Sequence, residues 1–178
     1  PVVYGKRKVG GTRVFVASKG DNNKYLYVAL AVAEGEIKSF NKLYINDELQ
    51  SITNFAVNPT DGSTVDVASD SKYYVDGAKA KFQFFTGKED QQYSRLLAED
   101  DRWGKDHRLR GIAYVACRFE WVKPKYDNDG NQTRFDPFQG IPNIQVEIEG
   151  KKVLTGDYSS HTQNEENTYG ADVFSPSV

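Results

Sequence analysis

Apolar and polar positions alternate at period two over several short windows of this chain, and those windows define its elements. Residues 12–18 read as a first strand behind the turn pair Gly10-Gly11. The longest apolar run, 24–33, places Leu26, Val28, Leu30 and Val32 on one face and Tyr25, Tyr27, Ala29, Ala31 and Ala33 on the other. Both faces are apolar, which predicts a strand covered on both sides. Two Tyr and two Val in the run weigh against a helix. Glu34-Gly35-Glu36 breaks it, 37–45 is strand-like, and Asn46-Asp47 is a turn before a short strand near Leu49. Residues 51–78 are polar and irregular, with 64–68 a further strand between the turn signals Asp61-Gly62 and Asp76-Gly77.

The pattern sharpens beyond that point. Over 79–86, Ala80, Phe82 and Phe84 share one face and Lys79, Lys81 and Gln83 the other. Asp90 is placed to cap a short helix over 91–99, with Tyr93, Leu96 and Leu97 on one side; it is the one helix the pattern predicts. A second core strand runs from Ile112 to about Val122, with Ala113, Val115, Cys117, Phe119 and Trp121 opposite Ile112, Tyr114, Ala116, Arg118 and Glu120. A polar loop follows over 124–140. In 143–149, Ile144, Val146 and Ile148 point inward and Gln145, Glu147 and Glu149 outward. Gly150-Lys151 turns the chain, Val153-Leu154 closes a hairpin, and 155–178 is polar enough to form an extended arm.

Composition supports the strands. Val, Ile, Phe, Tyr and Trp together number 47, against eight Leu and no Met, a balance that suits pleated surfaces over helices. The expected fold is mainly β, a β-sandwich or open β-barrel-like domain over 1–154 with one short helix, an irregular insertion over 46–80 and the arm 155–178. A chain without Met is expected either to have been trimmed at its start or to be a piece of something longer. The net charge of −2 gives no strong field for nucleic acid or anionic lipid. The single Cys117 makes no internal disulfide and no cysteine-based zinc site. No apolar run reaches the roughly 20 residues needed to span a bilayer.

Candidate chemistry is sparse. His107, in Asp106-His-Arg-Leu-Arg110, reads as a rim residue ahead of a strand, and His161 lies in the polar arm. Glu34 and Glu36 are separated by Gly35, so a bend explains them better than a catalytic carboxylate pair. Asp127-Asn-Asp-Gly130 starts like a calcium loop, but glycine falls at the fourth position and Phe138 at the twelfth, so an Asx turn is the reading. Lys6-Arg7-Lys8 with Arg13 forms a small basic patch, read as a solvated strand end. No nucleophile elbow, zinc helix or phosphate loop is present. The chain is read as a non-enzyme with no cofactor and no metal.

The aromatics carry more. Adjacent rings on a strand point to opposite faces, so Tyr73-Tyr74 and Phe84-Phe85 send one ring each away from a single core. With Tyr25 and Tyr27 they are either a subunit interface or a second layer of the same chain.

Four ordered blocks add a resemblance: Val3-Tyr-Gly-Lys-Arg-Lys-Val-Gly-Gly-Thr-Arg-Val-Phe-Val16, Lys24-Tyr-Leu-Tyr-Val-Ala-Leu-Ala-Val-Ala-Glu-Gly-Glu-Ile37, Asp106-His-Arg-Leu-Arg-Gly-Ile-Ala-Tyr-Val115 and Gly140-Ile-Pro-Asn-Ile-Gln-Val-Glu-Ile-Glu-Gly-Lys-Lys-Val153. Together they resemble the N-terminal part of the tail-tip attachment protein, or central tail hub, of long-tailed bacteriophages. The likeness covers 1–45 and 103–154 and not 46–80. It implies a structural virion protein of the tail tip, assembled in the host cytoplasm. Such a hub forms a homotrimeric ring that closes the tail tube. It meets the distal tail protein, the tail tube or tape-measure protein, and fibres or a spike, and serves host attachment and DNA ejection. A free-standing β-sandwich binding module, for carbohydrate or a protein ligand, is the alternative.

Overall fold

A computed structural model describes residues 1–51 and 62–151. The first half of the chain supplies β1 (Lys6–Val9), β2 (Thr12–Lys19), β3 (Tyr25–Glu34), β4 (Ser39–Ile45), β5 (Glu48–Leu49) and β6 (Thr64–Asp66). The second supplies β7 (Ala80–Phe85), β8 (Ile112–Glu120), β9 (Lys125–Tyr126), β10 (Gln132–Arg134) and β11 (Ile144–Glu149). Two sheets form the body, one ordered β1-β11-β4-β5 and the other β2-β3-β8-β7-β6, with β9 and β10 paired apart from both. All these pairings are antiparallel. The fold is mainly β and sandwich-like, as the alternation predicts.

One core lies between the two sheets. Leu26, Val28, Leu30 and Val32 of β3 meet Ala113, Val115, Cys117 and Phe119 of β8, Phe82 and Phe84 of β7, and Leu43, Ile45, Ile144, Val146 and Ile148 of the four-stranded sheet. Each fully buried Val, Leu, Ile or Phe contributes on the order of 1.5–3 kcal/mol by leaving water. The outward face of the four-stranded sheet is polar and carries cross-strand ion pairs, Lys42–Glu147 at 3.0 Å and Lys38–Glu149 at 2.8 Å.

The five-stranded sheet is covered on both faces. Its far side holds a second cluster of Ala17, Tyr27, Ala29, Phe85, Tyr114 and Ala116, roofed by Leu97 and Trp103 from the long connection after β7. The doubly apolar reading of β3 therefore holds, and β8 beside it is covered on both faces as well. One position departs from it: a register shift between Ala31 and Ala33 moves Ala33 into the core between the sheets.

That roof corrects the expected helix. Within 91–99 only Leu97–Glu99 forms a helical turn, a single 3-10 turn, and the Asp90 carbonyl accepts from the side chain of Gln92. Buried side chains supply the bonds a helix would have made. Gln91 accepts from the Gly87 N–H at 3.0 Å and donates to the carbonyls of Arg108 at 2.8 Å and Ile112 at 3.1 Å. Gln83, on the strand face shared with Lys79 and Lys81, is buried and accepts from the Ser94 hydroxyl at 2.7 Å and the Leu96 N–H at 3.2 Å. With its polar groups satisfied this way, the connection follows the sheet surface without regular structure.

The polar loop 124–140 also has more order than its composition suggests. It folds back as the hairpin β9–β10 around Asp127, whose carboxylate accepts from the N–H groups of Asp129 at 3.0 Å and Asn131 at 2.8 Å. This is the expected Asx turn. The hydrogen bonds from Asn131 hold the Asp127 carboxyl below its ordinary titration range. The Asn46-Asp47 turn is borne out by positive φ at both residues, which joins β4 to β5 as a tight hairpin. The strand after Gly150, the arm 155–178 and His161 lie outside the described residues.

Candidate interaction surface

The six aromatic residues expected at an interface divide by position. Tyr73 is fully buried, stacked on Phe138 with centroids 5.2 Å apart. Its hydroxyl donates to the Ile45 carbonyl at 3.4 Å and accepts from the Asn46 amide at 3.2 Å. Phe84 packs against Phe40 at 5.1 Å in the core between the sheets, while Phe85 points the other way and stacks on Tyr114 at 4.4 Å under the roof. Tyr27 is buried beside Phe85 and its hydroxyl donates to Glu99 at 3.0 Å. Burial first, and then that carboxylate, push its phenol far up. These four rings pack into the chain's own layers, the alternative to a subunit interface that the sequence left open. The two-sided geometry predicted for Phe84-Phe85 holds, but both destinations are internal.

Tyr25 and Tyr74 remain. Tyr25 is half-buried at the end of β3, with the Arg118 guanidinium 5.2 Å and the Lys24 ammonium 5.0 Å from its ring. Tyr74 is 43% exposed. Residues not anticipated from sequence join them at the surface: Tyr126 and Phe135, 62% and 63% exposed, on and beside the β9–β10 hairpin. Phe135 lines an open cleft of about 510 Å³ with Lys72, Lys125 and Arg134. Each is an isolated aromatic in a polar loop, a pattern that carries no periodicity and so gave no signal.

The charged candidates are ordinary surface groups. His107 accepts the Gly104 N–H through Nδ1 at 2.9 Å and lies 5.2 Å from the Trp103 ring, a rim position as expected. Glu34 is exposed at the end of β3, and Gly35 beyond it takes a positive φ, the predicted bend. Cys117 is fully buried, and burial pushes its thiol far up. Among the described residues no three His, Cys, Asp or Glu side chains converge as a metal site. No helix of the described residues is long and apolar enough to cross a membrane.

Lys6, Arg7 and Lys8 form β1, whose backbone pairs with Glu149, Ile148 and Glu147 of β11. The chain then passes to the other sheet through Gly10-Gly11. Gly11 has φ +69°, and a Cβ there would sit 2.9 Å from the Ala31 carbonyl oxygen, so the crossing requires glycine. Both strands joined by this corner are sheet edges, β1 in one layer and β2 in the other.

No protein-family model matches the chain. Among curated proteins it aligns with the baseplate hub protein pb3 of Escherichia phage T5 at 27% identity over 191 residues, covering 86% of this chain and 19% of that protein. This chain is similar to a phage baseplate hub protein. That finding bears out the resemblance carried by the four sequence blocks. The chain spans about a fifth of that relative's length, as the 19% coverage states. Among solved structures, a chain from the virion of a native gene transfer agent particle aligns over 97% of this chain and 31% of its own length, at 17% identity and a TM-score of 0.49.

Proposed function

We propose that this chain is a structural, non-enzymatic piece of a phage tail hub, located at the tail tip of the virion. The similarity to pb3 along most of the chain carries the reading. In that role the domain joins further copies of the hub, in a homotrimeric ring, to close the tail tube. It meets the distal tail protein, the tube or tape-measure protein, and the fibres or spike used in host attachment, and it opens for DNA ejection. The fold suits such a part: a five-stranded sheet packed on both faces is a stiff plate, and the edges and charged faces are left for neighbours. Antibodies raised against the 178-residue chain should label the distal end of the tail on intact or partly disassembled virions in negative stain. Labelling of the capsid, or of host fractions alone, would overturn the reading.

The alternative, a free-standing binding module, needs an aromatic platform. Phe135 beside the cleft is its best support. Saturable glycan binding lost on Phe135→Ala, without any label on virions, would favour the module.

A further inference from the structure

The outer edge of β2 is the part of this fold that the described residues leave unfinished. Four strands end the two large sheets: β1 and β5 in one, β2 and β6 in the other. β5 has two residues and β6 three, too few to template a partner. β1 has four, three of them cations. β2 has eight, and after a bulge at Arg13–Phe15 its register with β3 is regular through Lys19. Alternate N–H and C=O groups of that stretch face away from β3, and no strand among the described residues pairs with them.

The side chains repeat the point. Val16 stands opposite Val28, a residue of the core between the sheets, yet Val16 is 46% exposed; Val14, at the bulge, is 48% exposed. An apolar stripe therefore accompanies the open edge. Arg13 on β2 has no ion-pair partner among the described residues, nor have Lys6 and Arg7 on β1, the strand that precedes the Gly10-Gly11 corner, whereas Lys19 is held by Asp101 at 3.3 Å. A chain of net charge −2 thus carries, on this edge and on the strand before it, cations with no ion-pair partner among the described residues. A second β2 fits this edge poorly. Antiparallel pairing about a two-fold at Val16 would set Arg13 of one copy against Lys19 of the other, and like charges directly opposed are destabilising.

We propose that β2 accepts an added strand from a different polypeptide, an extended segment with apolar residues over Val14 and Val16 and a carboxylate facing Arg13, with further acidic residues towards the cations of β1. Main-chain bonds supply the affinity and the charges select the partner. The inference stands on edge and charge alone, independently of the tail-hub reading.

The test uses the 178-residue protein and a short capped peptide alternating valine with threonine, with aspartate at both ends. Saturable binding is expected, with hydrogen exchange slowed at residues 12–19. Arg13→Glu, an exposed change that leaves the circular dichroism spectrum intact, should weaken binding by about ten-fold, or roughly 1.4 kcal/mol. N-methylation along the pairing edge of the peptide should abolish binding, and lysine in place of aspartate should do the same. Three results would overturn the proposal: no binding of the acidic peptide, binding indifferent to N-methylation, or concentration-dependent protection of 12–19 without peptide, which would make a second copy the occupant.

Discussion

Gln91 is the pin that holds the roof on the five-stranded sheet, and replacing it with leucine is the sharpest test of the packing described above. Its side chain is 3% exposed. The carbonyl accepts from the Gly87 N–H, and the amide nitrogen faces the carbonyls of Arg108, Leu109 and Ile112. An NH₂ group has two hydrogens, so at most two of those three carbonyls are served at full strength, and three good hydrogen bonds are at stake in all. At about 1 kcal/mol net for each, Gln91→Leu should cost about 3 kcal/mol. Leucine has nearly the same volume, so the loss measures orphaned polar groups and not a cavity. Against a typical domain stability of roughly 5–15 kcal/mol, that is a large fraction.

Urea unfolding followed by tryptophan fluorescence suits the measurement, because Trp103 lies in the roof itself. The midpoint should fall with little change in slope, and hydrogen exchange should accelerate first over residues 87–111. A loss below about 1 kcal/mol with the fold intact would refute the reasoning, since water would then be replacing the glutamine at little cost.

Other outcomes follow from the same structure. Gly87→Ala should be severely destabilising: Gly87 has φ +94°, and a Cβ there would lie 2.5 Å from the Gly35 carbonyl oxygen and 2.9 Å from the Ala113 nitrogen, so thermal unfolding should occur many degrees lower. Leu97→Ala removes a fully buried side chain from the roof and should cost about 2–5 kcal/mol in urea, with rapid exchange over the 87–111 connection. The Cys117 thiol, buried and pushed up, should resist a thiol reagent at neutral pH until denaturant is added; prompt labelling of the native protein would contradict its place in the core. Glu120 is opposed by burial, but the Lys24 and Lys79 ammonium groups outweigh that and lower its carboxyl. Its contribution should be present above the unfolded carboxylate range and vanish as pH falls through its lowered folded value, so Glu120→Gln should flatten the acid limb of a stability–pH curve.

Most of the sheet was legible because period-two alternation is a local signal and the core strands obey it. β3, β8 and β11 show it plainly: both faces apolar where both are covered, one face apolar where the other carries Lys–Glu pairs. The roof was not legible. Tyr93, Leu96 and Leu97 have helical spacing, but Gln83 and Gln91 satisfy backbone groups across the fold, over separations of 13 to 21 residues, which no window along the chain detects. The choice between an interface and a second internal layer for the paired aromatics stayed open for a related reason. Sequence shows that Phe84 and Phe85 part company, but only the second cluster beneath the roof shows that each has a core to enter. Tyr126 and Phe135 were passed over because a lone aromatic in a polar loop has no pattern to join.

That outcome changes what a hub built from this domain must use for its contacts. The aromatic surplus is largely consumed in two internal layers, so it is not a store of adhesive surface. What the described residues leave outward is an ion-paired sheet face, one long strand edge that carries Arg13 without an ion-pair partner among them, and scattered single rings. Contacts of the first two kinds are directional: main-chain pairing fixes register, and opposed charges fix which neighbour is accepted, while neither drives indiscriminate association as a broad apolar patch would. In the proposed tail-hub role the domain meets several different proteins, each in one orientation, and stays apart from wrong copies of itself until they arrive. Edges guarded by charge meet that requirement at little expense to folding, because the stiffness of the plate is already secured by burial on both sides of β3 and β8.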